Sequence, residues 1–197
     1  MNYELNKVVI IGSGNLAEAL ARAVAKSGLE LVQIFARNAE RARIIAELTA
    51  TDWATHPGML AQDADIYLIA VSDKAVEHVA ATLPIPEGAA VAHTAGSVPL
   101  AAIPEKFAHR AVFYPMQTFT KGREVDFSVI PVFLETPSAE LRPELEAFAR
   151  QLSGTVIWAT SEQRARVHLA AVFACNFANH MYAVGERIVR DAGIDFD

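Results

Sequence analysis

Between Lys7 and Ala17 the chain reads Lys-Val-Val-Ile-Ile-Gly-Ser-Gly-Asn-Leu-Ala. A short β-branched run ends on glycine and passes directly into a segment with Leu16, Leu20, Ala23 and Val24 on one helical face. Gly12–Ala17 therefore has the form G-x-G-x-x-A, set between a strand and a helix. Gly12 permits the tight turn, Gly14 lets a pyrophosphate approach the backbone, and Ala17 allows close packing of helix on sheet. The pyrophosphate then rests on free amides at the positive end of the helix, which makes Ser13, Asn15 and Leu16 candidate contacts. The plainer alternative is a glycine-rich turn of the same architecture that holds no nucleotide.

The alternation continues downstream. Leu31–Phe35 reads as a strand, Ala39–Leu48 as a helix, Thr49–Trp53 as a weaker strand, and a short helical piece follows Pro57. Asp65–Val71 is a strong strand, Lys74–Leu83 a helix and Ala89–Thr94 a strand. Short apolar runs alternating with helices predict βαβ units and a parallel sheet buried on both faces. The next part is less regular, with strands over Ala111–Phe119 and Val129–Leu134, a helix over Ala139–Leu152 and a last strand at Thr155–Trp158. From Ser161 to about Ala192 the pattern is helical without a break, with Ser161 placed to cap its start and Gly193 its end. The expected fold is a Rossmann-type, doubly wound, mainly parallel α/β sheet over residues 1–160. The start of an all-α C-terminal domain occupies residues 161–197.

Charge and composition narrow the partners. The net charge is −6 and the basic residues are scattered, so the stripe that a nucleic-acid face requires is absent. No apolar run reaches the ~20 residues needed to cross a bilayer, and Leu169–Cys175 is halted by Asn176, Asn179 and His180. Met1–Lys7 leads straight into a strand and does not read as a targeting segment. The single cysteine, Cys175, lies in an apolar helical run, where it is expected to be a buried small hydrophobe. It excludes an internal disulfide and suits a reducing cytoplasm. No metal-ligand pattern is present.

The end of the second strand selects the cofactor. An NAD site places Asp or Glu about 20 residues beyond the glycines to bind the ribose 2′-hydroxyl. Here the chain reads Ala36-Arg37-Asn38. Arg37 would pair with a 2′-phosphate that a carboxylate would repel, which points to NADP. Asn38 lies beside it, and Arg41, one turn into the next helix, is placed to reach the same phosphate or stack on the adenine. Either arginine is alternatively an ordinary solvated residue.

Ligands in open α/β sheets lie outside the carboxyl ends of the strands. Those ends carry Val71-Ser72-Asp73, His93-Thr94-Ala95-Gly96-Ser97 and Tyr114-Pro115-Met116-Gln117-Thr118. The first passes near the nicotinamide ribose. Hydroxyl and amide groups at the others, Thr94 among them, are placed to orient a carbonyl, imine or carboxylate. Ser72-Asp73 reads equally as a helix cap and Thr94-Ala95-Gly96 as a turn. On the long helix His168, Val172, Cys175, Asn176 and Asn179 share one broad face. Turned to the cleft, it offers Asn176 as a substrate ligand and His168 as a proton donor; turned away, it offers helix–helix hydrogen bonds.

These segments, together with His168-Leu169-Ala170-Ala171-Val172-Phe173-Ala174-Cys175-Asn176-Phe177, resemble the Rossmann-like proteins with a DUF2520 C-terminal domain, described as coenzyme F420-dependent NADP oxidoreductases. The wider group is similar to pyrroline-5-carboxylate reductase and to the 6-phosphogluconate and 3-hydroxyacid dehydrogenases. The resemblance implies an NADP-binding domain followed by an all-helical domain that dimerises and closes the site. Two departures stand out. Hydroxyacid dehydrogenases carry Lys and Asn four residues apart on the first helix of that domain. Asn176 matches the Asn, but Val172 stands where the Lys would be. The family's helical domain also has several helices, so residues 161–197 read as the first long helix of a domain that is either truncated or unusually small.

The leading expectation is an NADP(H)-dependent oxidoreductase that transfers a hydride to or from a small carbonyl or imine substrate. The alternative is a non-catalytic NADP(H)-binding redox sensor or scaffold, and F420 as hydride partner is a weaker third. Leu169, Val172, Phe173, Phe177, Met181, Val184 and Ile188 lie on several faces of the long helix, which cannot bury them all on one sheet edge. That predicts a homodimer through this helix.

Overall fold

The computed structural model describes residues 4–195. Met1–Tyr3, part of the segment read as carrying no targeting signal, and Phe196–Asp197, the end of the expected helical domain, lie outside the described residues. The first βαβ unit forms as the pattern predicts. Strand β1 (Lys7–Ile11) leads into helix α1 (Asn15–Lys26), followed by β2 (Glu30–Phe35), α2 (Ala39–Thr49) and a short β3 (Asp52–Ala54). Strand β4 (Ile66–Ile69) joins helix α3 (Val76–Thr82), and β5 (Ala90–His93) and β6 (Arg110–Pro115) complete the parallel part. Then come β7 (Val132–Glu135), α4 (Leu141–Leu152) and β8 (Val156–Trp158). One sheet of eight strands results, in the order β3-β2-β1-β4-β5-β6-β7-β8. Strand β7 runs antiparallel to β6, and every other pair is parallel.

Burial on both faces explains why the central strands are apolar at every position rather than at alternate ones. All of β4 and Val8–Ile11 of β1 are buried. One core layer packs α1 and α4 on the sheet through Ala17, Leu20, Val24, Leu145 and Phe148. Phe148 meets Phe113 of β6 edge to face at 5.6 Å, a favoured aromatic geometry. The other layer gathers Tyr67, Val91, Leu83, Ile103 and Phe107.

Departures from the expected elements have local causes. The sixth strand stops at Pro115 rather than Phe119, and the seventh starts at Val132 rather than Val129. Pro131 has no N–H for a ladder, and Phe127–Val129 forms a 3₁₀ turn that leaves Val129 exposed. Lys74–Leu83 divides into a 3₁₀ turn at Asp73–Ala75 followed by α3.

The C-terminal helix begins at Ser161, but Ser161 is not its cap. Thr160 accepts from the Gln163 backbone while the Gln163 side chain answers the Thr160 N–H, a capping box. Ser161 is thereby released to bind Glu135 and the Leu100 N–H. Nor is the helix uniform. Helix α5 (Ser161–Ala171) and helix α6 (Ala178–Asp191) are joined by a π-helical stretch at Val172–Phe177. Wider turns there shift the helical phase of the residues beyond Val172 relative to His168. Cys175 is exposed rather than buried, because no described element covers this part of the helix. Gly193 does end it, at φ 76°.

Candidate functional site

The first βα turn lies where the strand order reverses, between β1 and β4. Gly12 adopts φ 138°, and a Cβ there would stand 2.1 Å from the Ala70 carbonyl oxygen. Only glycine lets β1 turn this close to the end of β4. Its N–H donates to the Phe35 carbonyl at 2.8 Å. Gly14 differs, for nothing lies within 4 Å of the place its Cβ would take. That space is open to a ligand, and Gly14 stands at the amino end of α1, where free amides favour an anion. Ala17 is fully buried against the sheet.

A cleft of about 650 Å³ runs over this turn. Gly12–Leu16 form its floor, and Val71 and Ser72 one wall. Arg37 and Asn38 line its far end, with Thr55, Pro57, His78 and Thr82 nearby. Its size and lining suit a dinucleotide half. The Arg37 guanidinium is exposed and pairs with no described residue. Asn38 caps α2 by accepting from the Arg41 backbone N–H at 3.0 Å. The Arg41 side chain is held elsewhere, on Glu18 at 2.8 Å, and Glu18 also takes Arg22. His78, Thr55 and Thr82 carried no sequence signal, since the first and last reach the cleft through the packing of α3 and Thr55 through the end of β3.

Beyond Ser72 the ends of β4, β5 and β6 converge on α5. Asp73 accepts a short hydrogen bond from the Ser97 hydroxyl. Tyr114, at the end of β6, has its hydroxyl 3.0 Å from His168 Nδ1. Gly96 lies against both rings, and a Cβ there would fall 2.7 Å from His168 Nδ1 and 2.7 Å from Tyr114 Cζ. Burial, and then the Asp73 charge, raise the Tyr114 hydroxyl above its ordinary pKa. Thr94, proposed from its position, is 3 % exposed and donates its hydroxyl to the Ile69 carbonyl. Asn176 is exposed, with no described partner for its side chain, two helical turns beyond His168. The structure thus brings His168 to the strand ends and does not bring Asn176 or the Thr94 hydroxyl with it.

A buried network that the sequence did not reveal fastens α5. Arg164 is 1 % exposed. Its guanidinium donates to Glu135 and to the Val98 carbonyl, and Glu135 also accepts from the Ser161 N–H and hydroxyl. His93, fully buried, accepts the Ala95 N–H on Nδ1 at 3.2 Å, which shapes the turn carrying Gly96. Its Nε2 has no partner in good hydrogen-bond geometry. Burial, reinforced by the Arg164 charge, pushes the His93 pKa down to about 4 from 6.5. As pH falls the unfolded chain therefore takes up this proton first. Stability is full above about pH 6.5 and declines towards pH 4, by about 3 kcal/mol for a shift of this size. Urea midpoints across that window should show the slope and His93→Phe should flatten it; an equal slope in the variant refutes the assignment.

Comparison with known proteins follows the same division of the chain. Residues 7–95 match the family model described as NADP oxidoreductase, coenzyme F420-dependent. Residues 130–197 match a domain of unknown function, DUF2520. A Bacteroides fragilis protein provisionally described as an NADP oxidoreductase is 40% identical, with a TM-score of 0.90 over 100% of this chain and 76% of its own. A Thermotoga maritima protein is 25% identical, with a TM-score of 0.78 over 96% of this chain and 72% of its own. Pyrroline-5-carboxylate reductase from Coxiella burnetii shares the fold at 17% identity, with a TM-score of 0.64 over 96% of this chain and 71% of its own. A search of curated proteins found no match.

Proposed function

For a chain that belongs to the family of NADP oxidoreductases carrying a DUF2520 domain, we propose hydride transfer between NADP(H) and a small carbonyl or imine substrate. The observation that carries the cofactor choice is Arg37, a guanidinium without a partner among the described residues that lines the end of the cleft where an NAD site would present a carboxylate. The residues present fit the dinucleotide. Gly12 makes the turn, Gly14 leaves its flank open, Ser13, Asn15 and Leu16 offer the start of α1, and Val71-Ser72-Asp73 lead towards the nicotinamide end. Asn15 also donates its side-chain amide to the Phe119 carbonyl at 3.0 Å, tying the phosphate turn to the loop after β6. The nicotinamide, when bound, supplies or accepts the hydride, while the chain orients the partner carbon and manages the proton.

Titration by fluorescence should show NADPH binding at least tenfold more tightly than NADH, and Arg37→Asp should abolish or reverse that order. A bidentate arginine–phosphate contact is of this size or larger. Equal affinity of the wild type for both would overturn the choice of NADP.

Assembly belongs to the same reading. From Leu169 to Ile188 the helix exposes Leu169, Phe173, Phe177, Met181 and Ile188, with Phe173 and Phe177 stacked at 4.8 Å. An apolar stripe this long marks an interface. A second copy of the chain offers the same stripe across a two-fold axis, giving a homodimer through the C-terminal helix. Light scattering at micromolar concentration should return twice the chain mass; the mass of one chain counts against the dimer.

A further inference from the structure

We infer that Tyr114 is the positioning residue of His168, and that the pair presents His168 Nε2 to the substrate as a proton donor. The inference rests on the proposed hydride transfer and adds the residue that orients its acid.

The direction of the Tyr114–His168 hydrogen bond follows from what surrounds it. Tyr114 is 8 % exposed, and its hydroxyl meets no described acceptor other than His168 Nδ1, 3.0 Å away. Were Nδ1 the donor, the phenolic hydrogen would be left buried and unpaired, which is costly. The hydroxyl therefore donates, and a neutral His168 keeps its own proton on Nε2. The raised pKa of Tyr114 keeps the hydroxyl protonated. Gly96 admits both rings at this distance, which any side chain there would forbid. The charged groups near the pair are Asp73 from the end of β4 and Arg164 from α5 itself, the latter held by Glu135. His93 on β5 stays neutral above about pH 4.

Nε2 bears hydrogen in both protonation states of the ring, so it binds a carbonyl oxygen or imine nitrogen as donor throughout. In the reducing step the substrate carbon gains a hydride from a reduced nicotinamide, and the carbon–heteroatom π bond becomes a C–H bond and a lone pair. The imidazolium of His168 gives its Nε2 proton to that heteroatom and becomes neutral. The ring is then the Nδ1–H tautomer, which the Tyr114 hydroxyl disfavours, and proton exchange with water returns it to the Nε2–H form.

The test reads the His168 ring nitrogens by NMR in the full chain without nucleotide, comparing wild type with Tyr114→Phe. Wild type should show Nε2–H as the dominant neutral form, and the variant should lower the Nε2–H to Nδ1–H ratio about fivefold, the weight of one ordinary hydrogen bond. Because phenylalanine keeps the ring, the thermal midpoint should stay close to wild type, and a simple packing role would leave the tautomer ratio unmoved. An Nδ1–H form dominant in wild type, or an unchanged ratio in Tyr114→Phe, overturns the inference. Neither readout involves NADPH, whose failure to bind would sink the proposed function separately.

Discussion

Gly12→Ala should cost about 4 kcal/mol of stability. The left-handed backbone at φ 138° is strained for any L side chain, and the new Cβ would stand 2.1 Å from the Ala70 carbonyl. Backbone strain of 1–3 kcal/mol and an overpacking penalty of similar size combine to about that figure. Set against a typical ~5–15 kcal/mol for a folded domain, it leaves the β1–β4 junction close to unfolding. Gly14→Ala is the informative control. Its Cβ meets nothing, so stability should change by less than about 1 kcal/mol. The methyl nevertheless enters the open space where the pyrophosphate is proposed to lie, and NADPH affinity should fall about tenfold or more. Urea unfolding and nucleotide titration of both variants give the result. A stable Gly12→Ala, or a Gly14→Ala that binds NADPH as the wild type does, would show that the two glycines do not divide the work in this way.

Arg164→Met should be the most damaging change outside the nucleotide turn, at about 3 kcal/mol. Removing one member of a buried ion pair leaves the other desolvated and uncompensated, at a cost of ~3–5 kcal/mol. Glu135 is 18 % exposed, so water recovers part of that cost. The loss should appear in urea unfolding with NADPH affinity nearly unchanged, since Arg164 does not line the cleft over the Gly12 turn. Adding Glu135→Gln should restore part of the stability, because the orphaned charge disappears with it. No recovery in the double variant would mean that the pair does not fasten α5 to the edge of β7.

The order of strands and helices through β5 was legible because local rules and the global fold agree there. Continuous apolar runs, helical periodicity and the Gly12–Ala17 string all demand the same architecture. Element ends were less legible, since Pro131 and the Phe127–Val129 turn decide them by backbone chemistry that periodicity does not register. At the C-terminal helix the signals diverged. Apolar composition announced a helix, but not the π stretch at Val172–Phe177 that rephases it, nor that Cys175 would stand exposed.

The candidate site divides along the same line. Its nucleotide half was written in contiguous residues, because a βα turn is a local object: Gly12, Gly14, Ala17 and Arg37 all lie within one βαβ unit. His168 was singled out as a polar residue in an apolar run, but Tyr114 and Gly96 are 54 and 72 positions away, and only the approach of α5 to the ends of β5 and β6 makes them neighbours. Arg164 carries no signal in the sequence, and only the fold encloses it with Glu135 and Ser161. Sequence alone determined the fold class and the nucleotide turn, since both arise from short-range backbone geometry and hydrophobic period. Tertiary structure decided which polar groups meet, because burial, desolvation and hydrogen-bond partners belong to the packed chain and to no segment of it.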